Sequence, residues 1–169
     1  MLRSLLLDDV AAYTGLLRAN ADFLTRHGDF TDAVRASEED HRRAFAAADP
    51  RHDFGVYEDD RLVGRVELIR RDPTRFGLGY LLAEHACGRG IATLAVRAVA
   101  RHARHELAVT DLFAGVTHGN HASVAVLRRV GFHHVATFDT YDRYHLDLVA
   151  FSPVRPRTAS RWPAWPPAP

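Results

Sequence analysis

The stretch Leu81-Leu82-Ala83-Glu84-His85-Ala86-Cys87-Gly88-Arg89-Gly90-Ile91-Ala92-Thr93 has the residue types to bind an anion. An apolar run that reads as the end of a strand passes through two glycines into a helix opening at Ile91. The first N–H groups of a helix have no partner within it and sit at the positive end of its dipole, so they attract phosphate. Glycine matters in such a loop because a Cβ would hold the phosphate away from the backbone. A Walker A loop needs Gly-Lys-Ser/Thr, and a dinucleotide fingerprint needs a third glycine where Thr93 stands, so neither applies. Gly-x-Gly before a helix also suits a plain tight turn.

Other reactive residue types lead less far. Among eleven histidines, His118 and His121, His133 and His134, and His145 raise the question of a metal. Zinc requires a fixed set of ligands. His133 and His134 are adjacent on a strand, point to opposite faces and cannot share one ion. They are expected at the surface, with His118 or His145 as candidates to line a substrate pocket and no metal bound. Cys87 is the single cysteine, which excludes an internal disulfide and a multi-cysteine zinc site. As a nucleophile it has no recognisable activating partner.

The elements that must position these residues follow from periodicity. Leu2 to Leu7 reads as a first strand, with Asp8 or Asp9 capping the helix after it. Val10, Tyr13, Leu16, Leu17 and Phe23 recur at helical spacing from Val10 to Leu24. Ser37-Glu38-Glu39-Asp40 approximates a capping box for a helix to about Ala48, which Asp49-Pro50 ends. Asp53 to Glu58, Arg61 to Arg70 and Phe76 to Leu82 read as strands. The turns between them are short enough to make them antiparallel neighbours. Ile91 to about His105 is a helix with Ile91, Leu94, Ala95, Ala98, Val99 and His102 on one stripe. Leu112 to Thr117 is a strand, and Asn120 to Val130 is a helix closed by Gly131. His133 to Phe138 and Tyr144 to Phe151 form a closing hairpin. The order β-α-α-β-β-β-α-β-α-β-β predicts an α/β fold whose central sheet is mixed and mostly antiparallel, with helices on both faces.

Composition bounds the function. The chain has 169 residues and a mass of 18.9 kDa, 47% of it hydrophobic and 25% charged, as in a globular protein. One domain is expected over residues 1–151. A tail rich in Pro, Arg and Trp follows over residues 152–169, holding Trp162, Trp165 and most of the eight prolines. Lys+Arg is 22 against 21 for Asp+Glu, which argues against a nucleic-acid partner. Every one of the basic residues is arginine, so neither a Schiff-base lysine nor a Walker A lysine exists. The N-terminal apolar run stops at Asp8, short of the ~7–15 residues of a secretory signal. No run approaches the ~20 residues of a membrane span, so a cytoplasmic protein without a membrane partner is expected.

Three motifs together resemble one family. Cys87-Gly88-Arg89-Gly90-Ile91-Ala92 is similar to the acyl-CoA-binding pattern Gln/Arg-x-x-Gly-x-Gly/Ala of the GNAT N-acetyltransferase superfamily, with Cys87 in place of Gln or Arg. Leu78-Gly79-Tyr80-Leu81-Leu82 resembles the Gly-Tyr-x-[Leu/Ile] strand of its ribosomal-protein N-terminal acetyltransferase-like branch. The run from Asn120 through Ser123 to Arg129, Gly131 and Phe132 resembles that branch's Asn-x-x-Ser...[Lys/Arg]-x-Gly-Phe helix. The likeness is strong from about Val63 to Phe132 and absent from the tail.

The resemblance implies acetyl-CoA as co-substrate, its pyrophosphate on the loop amides of Gly88, Arg89, Gly90, Ile91, Ala92 and Thr93. Its pantetheine arm would run beside Leu81 and Leu82, where a backbone N–H would polarise the thioester carbonyl. It further implies direct attack by an amine, with Asn120 orienting pantetheine or substrate and Ser123 donating to the departing thiolate. Glu67, mid-strand and facing opposite to Leu68, is the candidate base. Without the resemblance, Asn120 reads as a helix N-cap, Ser123 as a small contact residue and Glu67 as a solvent-facing strand residue. The branch implies an N-acetyltransferase acting on a peptide or protein N-terminal α-amine. The alternatives are a small-molecule amine of antibiotic type as acceptor, or a non-catalytic acyl-CoA-binding regulatory protein. A homodimer is left open.

Overall fold

The computed structural model describes residues 1–27 and 30–151, so the expected tail over residues 152–169 lies outside the described residues. Strand β1 (Leu2–Ser4) leads through a 3-10 turn into helices α1 (Val10–Ala19), α2 (Ala21–Thr25), α3 (Thr31–Arg35) and α4 (Glu38–Ala47). Strands β2 (Asp53–Glu58), β3 (Arg61–Arg70) and β4 (Arg75–Leu82) follow. Helix α5 (Ile91–Glu106), strand β5 (Asp111–Thr117), helix α6 (His121–Val130), and strands β6 (His133–Thr137) and β7 (Tyr141–Asp147) complete the chain.

The seven strands form one sheet in the order β1-β2-β3-β4-β5-β7-β6. Every neighbouring pair is antiparallel except β4 and β5, which run parallel because α5 carries the chain across between them. Their pairing covers only Arg75 to Gly77 against Asp111 to Phe113, and beyond those residues the two strands share no register.

Each face of the sheet has its own core. On one side α5 and α6 set Val96, Val99, Ala100 and Leu127 against Phe54, Val66, Leu78 and Leu112. On the other, Tyr13, Leu16 and Leu17 of α1 and Phe45 of α4 pack with Leu5, Tyr57 and Leu81. The buried stripe of α5 is Thr93, Ala95, Val96, Val99, Ala100, His102 and Ala103, rotated slightly from the predicted one. Small side chains there let the helix lie close to the sheet.

Four predicted boundaries are corrected. β1 ends at Ser4 because the Leu6 N–H donates to the Asp9 carboxylate (2.9 Å), which turns the chain before Leu7. The predicted Val10–Leu24 helix is two helices, broken at Asn20, whose amide donates to the Leu16 carbonyl (2.8 Å) while its Oδ1 accepts the Glu84 N–H (2.9 Å). Helix α3 is an additional element. The last strand starts at Tyr141 rather than Tyr144 and stops at Asp147, where the Asp147 carboxylate accepts the Val149 and Ala150 N–H groups. Ser37 does cap α4, reciprocally with Asp40, and Gly131 does close α6.

Asp9 fastens the start of α1 to the sheet. Its buried carboxylate accepts both Arg3 nitrogens at 2.7 Å, the Leu6 N–H, and the Tyr57 hydroxyl at 2.9 Å. Burial pushes this carboxyl up, but the Arg3, Leu6 and Tyr57 bonds outweigh it and leave the group below its ordinary value. A carboxyl depressed on folding adds stability above its unfolded value of ~3.9 and loses it as pH falls through the folded value. Asp9→Asn should therefore cost about 2–3 kcal/mol at neutral pH. Its deficit against wild type should shrink below pH ~4, as urea unfolding at both pH values would read.

Candidate active site

Beside the end of β4, beyond its pairing with β5, lies a cavity of ≈ 420 Å³. Its walls are the end of β4 (Tyr80, Leu81, Leu82), the loop and first turn of α5, the first two turns of α6, and α2 with the residues that follow it. The α5 loop comes first in the chemistry. Gly90 precedes the helix at φ +80°, Gly88 lies at φ +72°, and a Cβ built on either meets nothing within 4 Å. Both glycines therefore adopt a backbone that side chains disfavour and leave open space above the unpaired amides at the start of a 16-residue helix. That space and those donors fit a phosphate group.

Of the residues expected to hold the cofactor, Leu81, Leu82, Gly88, Gly90, Ile91, Ala92, Thr93, Asn120 and Ser123 all line the cavity. The Arg89 side chain does not; its guanidinium turns away to the Glu58 carboxylate (2.8 Å), leaving only its backbone for the loop. Cys87, at the position of the usual Gln or Arg, lines the cavity with its thiol toward the Ala83 carbonyl. Burial, followed by the nearby Glu84, pushes that thiol above its ordinary value, so it stays protonated.

Asn120 is the N-cap of α6, its Oδ1 accepting the Ser123 N–H at 3.1 Å. The cap fixes the first turn of α6 and with it Ser123, whose hydroxyl makes no hydrogen bond among the described residues. From the other bank, the Tyr80 hydroxyl donates to the Ser123 carbonyl at 3.1 Å, spanning the gap between β4 and α6. Burial pushes the Tyr80 phenol up to about 12, so it remains a neutral donor at physiological pH.

Glu67 lies outside the cavity lining, on the sheet face that carries α1 to α4. Its carboxylate pairs with Arg65 at 2.8 Å and leans over Gly79, where an added Cβ would come within 2.9 Å of it. Arg65 is itself clamped by both oxygens of the buried Asp53 (2.7 and 2.8 Å) and sits 5.3 Å from the Tyr13 ring. Glu84 is exposed in a 3-10 turn, 3.7 Å from Arg26.

His145 and His118 are also outside the lining. His145 bonds Asp111 at 2.7 Å, and His118 lies 3.8 Å from Asp142. His133 and His134 face opposite ways, the first toward His145 and the second toward Asp142 and Tyr144. Among the described residues no group of three or more His, Cys, Asp or Glu is placed to hold a metal ion.

The sequence did not single out Phe23, Leu24, Arg26, His27 and Phe30 as site residues, although they form the wall on the α2 side. Only Phe23 carried a signal, as part of the helical stripe.

Comparisons with known proteins agree with this geometry. Residues 1–133 match the family described as Acetyltransferase (GNAT) domain. Over 90 residues the chain is 41% identical to the Probable N-acetyltransferase YjcK of Bacillus subtilis (strain 168), covering 50% of each. The chain spans about half the length of the curated relatives it matches. Among solved structures, the ribosomal-protein-S5-alanine acetyltransferase of Vibrio fischeri superposes with a TM-score of 0.76 at 17% identity. That match covers 90% of this chain and 94% of the other. The ribosomal L7/L12 alpha-N-protein acetyltransferase RimL, solved in complex with coenzyme A, gives 0.75 at 21% identity, covering 86% and 92%. Likeness at these identities establishes the fold, and the family match runs over most of the chain. With the loop, the parted strands and the capped helix in place, the protein is a member of the GNAT acetyltransferase family.

Proposed function

We propose that this protein transfers an acetyl group from acetyl-CoA to a primary amine, by preference the α-amine at a peptide or protein N-terminus. The observation that carries the proposal is the continuous cavity from the Gly88–Thr93 amides, past Leu81 and Leu82, to Ser123. Acetyl-CoA supplies an activated thioester carbonyl. The amides of the α5 loop bind its pyrophosphate, and the edge of β4 that lacks a β5 partner beyond Gly77 offers main-chain groups to the pantetheine arm. The acceptor nitrogen bonds to the carbonyl carbon as the carbon–sulfur bond breaks, with no covalent enzyme intermediate. Ser123 passes its proton to the leaving sulfur and regains one from solvent, a modest task for a thiol of ordinary pKa ~8.5. Glu67, reached through water, accepts the proton that the amine loses.

The choice of acceptor rests on proton chemistry and on the relatives. An α-amine has an ordinary pKa near ~7.7–8.0 and a lysine amine near ~10.4, so at pH ~7 roughly a tenth or more of the first is neutral against about one in a few thousand of the second. Glu67 is tied to Arg65 and lies outside the cavity, and an easily deprotonated acceptor suits so remote a base. Two superposing structures are acetyltransferases of ribosomal proteins, which supports a polypeptide acceptor.

Two variants should separate binding from chemistry. Acetyl-CoA at ~100 times its Kd should stabilise the wild type by about 2.7 kcal/mol, read as a rise in Tm. Gly90→Glu should fold and lose that rise, because bulk and negative charge then meet the pyrophosphate. Ser123→Ala should keep it while kcat falls. An undiminished rise in folded Gly90→Glu would remove the loop from the cofactor site.

A peptide with a free N-terminus and an internal lysine should be acetylated faster at the N-terminus, as fragmentation mass spectrometry would map. Glu67→Gln should lower kcat while the acetyl-CoA-induced rise in Tm is kept. Modification mainly at lysine, or turnover of small amines alone, would overturn the assignment of the acceptor.

A further inference from the structure

On the sheet face that carries α1 to α4, β5 and β7 present Phe113, Gly115, Tyr141, Arg143 and His145. They alternate with Leu112, Ala114, Tyr144 and Leu146, which are buried against the opposite core. Gly115 stands opposite Arg143, and Thr117, at the end of β5, stands opposite Tyr141. Arg143 is exposed, yet its guanidinium is held in place. It donates to the Tyr141 hydroxyl at 2.9 Å and lies 4.6 Å from the centre of the Phe138 ring. The Phe138 ring in turn stacks on Tyr141, with centroids 4.7 Å apart and planes 12° from parallel. An arginine so held has less side-chain freedom to lose on binding than one extended into water.

No carboxylate among the described residues pairs with Arg143. The acids of β5, β7 and the turn after it are committed elsewhere: Asp111 to His145, Asp142 to Thr137 and His134, and Asp147 to the Val149 and Ala150 amides, while Asp139 in the β6–β7 turn forms no ion pair with Arg143. A planar fork of donors, fixed against rings and without an anion, matches a carboxylate.

We infer that Arg143 is a specificity-determining residue that receives an acidic side chain at position two or three of the acceptor peptide. The inference rests on the proposal that the acceptor is a peptide N-terminus. Along β7, Arg143 lies two residues from the Tyr141–Thr117 pair, about 7 Å. An extended peptide advances about 3.3 Å per residue. Thr117 ends β5 three residues before Asn120, which lines the cavity. With the α-amine of such a peptide held at that wall, its second or third side chain comes level with the guanidinium.

The test uses peptides amidated at the C-terminus, so that the side chain is the only carboxylate. Each carries Glu, Gln or Lys at position two or three, with acetyl-CoA saturating. Wild type should show a KM roughly two- to fivefold lower for Glu than for Gln at one of these positions, with similar kcat. The ratio of KM values within one variant cancels any general loss of activity. That ratio should fall to about one in Arg143→Gln, recover in part in Arg143→Lys, and reverse in favour of the Lys peptide in Arg143→Glu. Equal KM values in wild type, or a Glu preference that survives in Arg143→Gln, would overturn the subsite while leaving the peptide reading intact. Turnover of small amines with no peptide turnover at all would remove both.

Discussion

The structure turns on the parting of β4 and β5. A parallel pair must be joined by a crossover, and here the crossover helix α5 starts immediately beyond the loop that leaves β4. Pairing then lasts only from Arg75 to Gly77 on β4, and the rest of each strand leaves main-chain groups without a β-partner at the gap. Backbone donors and acceptors left in a largely apolar cleft need partners. A ligand with amides along its length can supply them. The same geometry aims the α5 amides at one end of the gap and the first turn of α6 at the other.

Much of the remaining structure keeps that gap open at a fixed width. Two separate cores hold its banks, one beneath α5 and α6, the other beneath α1 to α4. Tyr80 reaches across to the Ser123 carbonyl, Asn120 winds the turn that carries Ser123, and Asn20 ties the α1–α2 break to the chain just before the glycine loop. Arginine alone supplies the side-chain cations, and several of its forks are used internally: Arg3 on Asp9, Arg65 on Asp53, Arg89 on Glu58. Arg143 differs in being held by aromatic rings and a phenol rather than by an acid.

What the sequence made legible is what local physics decides. The turn signals on either side delimited β2 and β3 to the residue, and the glycine loop, the α5 start, the Asn120 cap and Gly131 stand where their chemistry requires. The failures share a cause, contacts between residues far apart in the chain or faces left uncovered. The break at Asn20 serves Glu84, 64 positions away, and no periodicity reveals it. The start of β7 was missed because Tyr141 and Arg143 face the open side of the sheet, where nothing selects apolar residues. Arg89 stands in the loop, but only the fold shows its side chain turned to Glu58. The wall formed by Phe23 to Phe30 depends on how α2 folds back over the gap, which short-range patterns do not encode.

The cofactor site is tested most directly by titrating coenzyme A into isotope-labelled protein and reading the amides by NMR. The largest shifts are expected at the Gly88–Thr93 amides, with further shifts at Leu81, Leu82 and Ser123 as the arm enters between the strands. Saturable binding that leaves those amides unmoved and perturbs another surface would contradict the assignment.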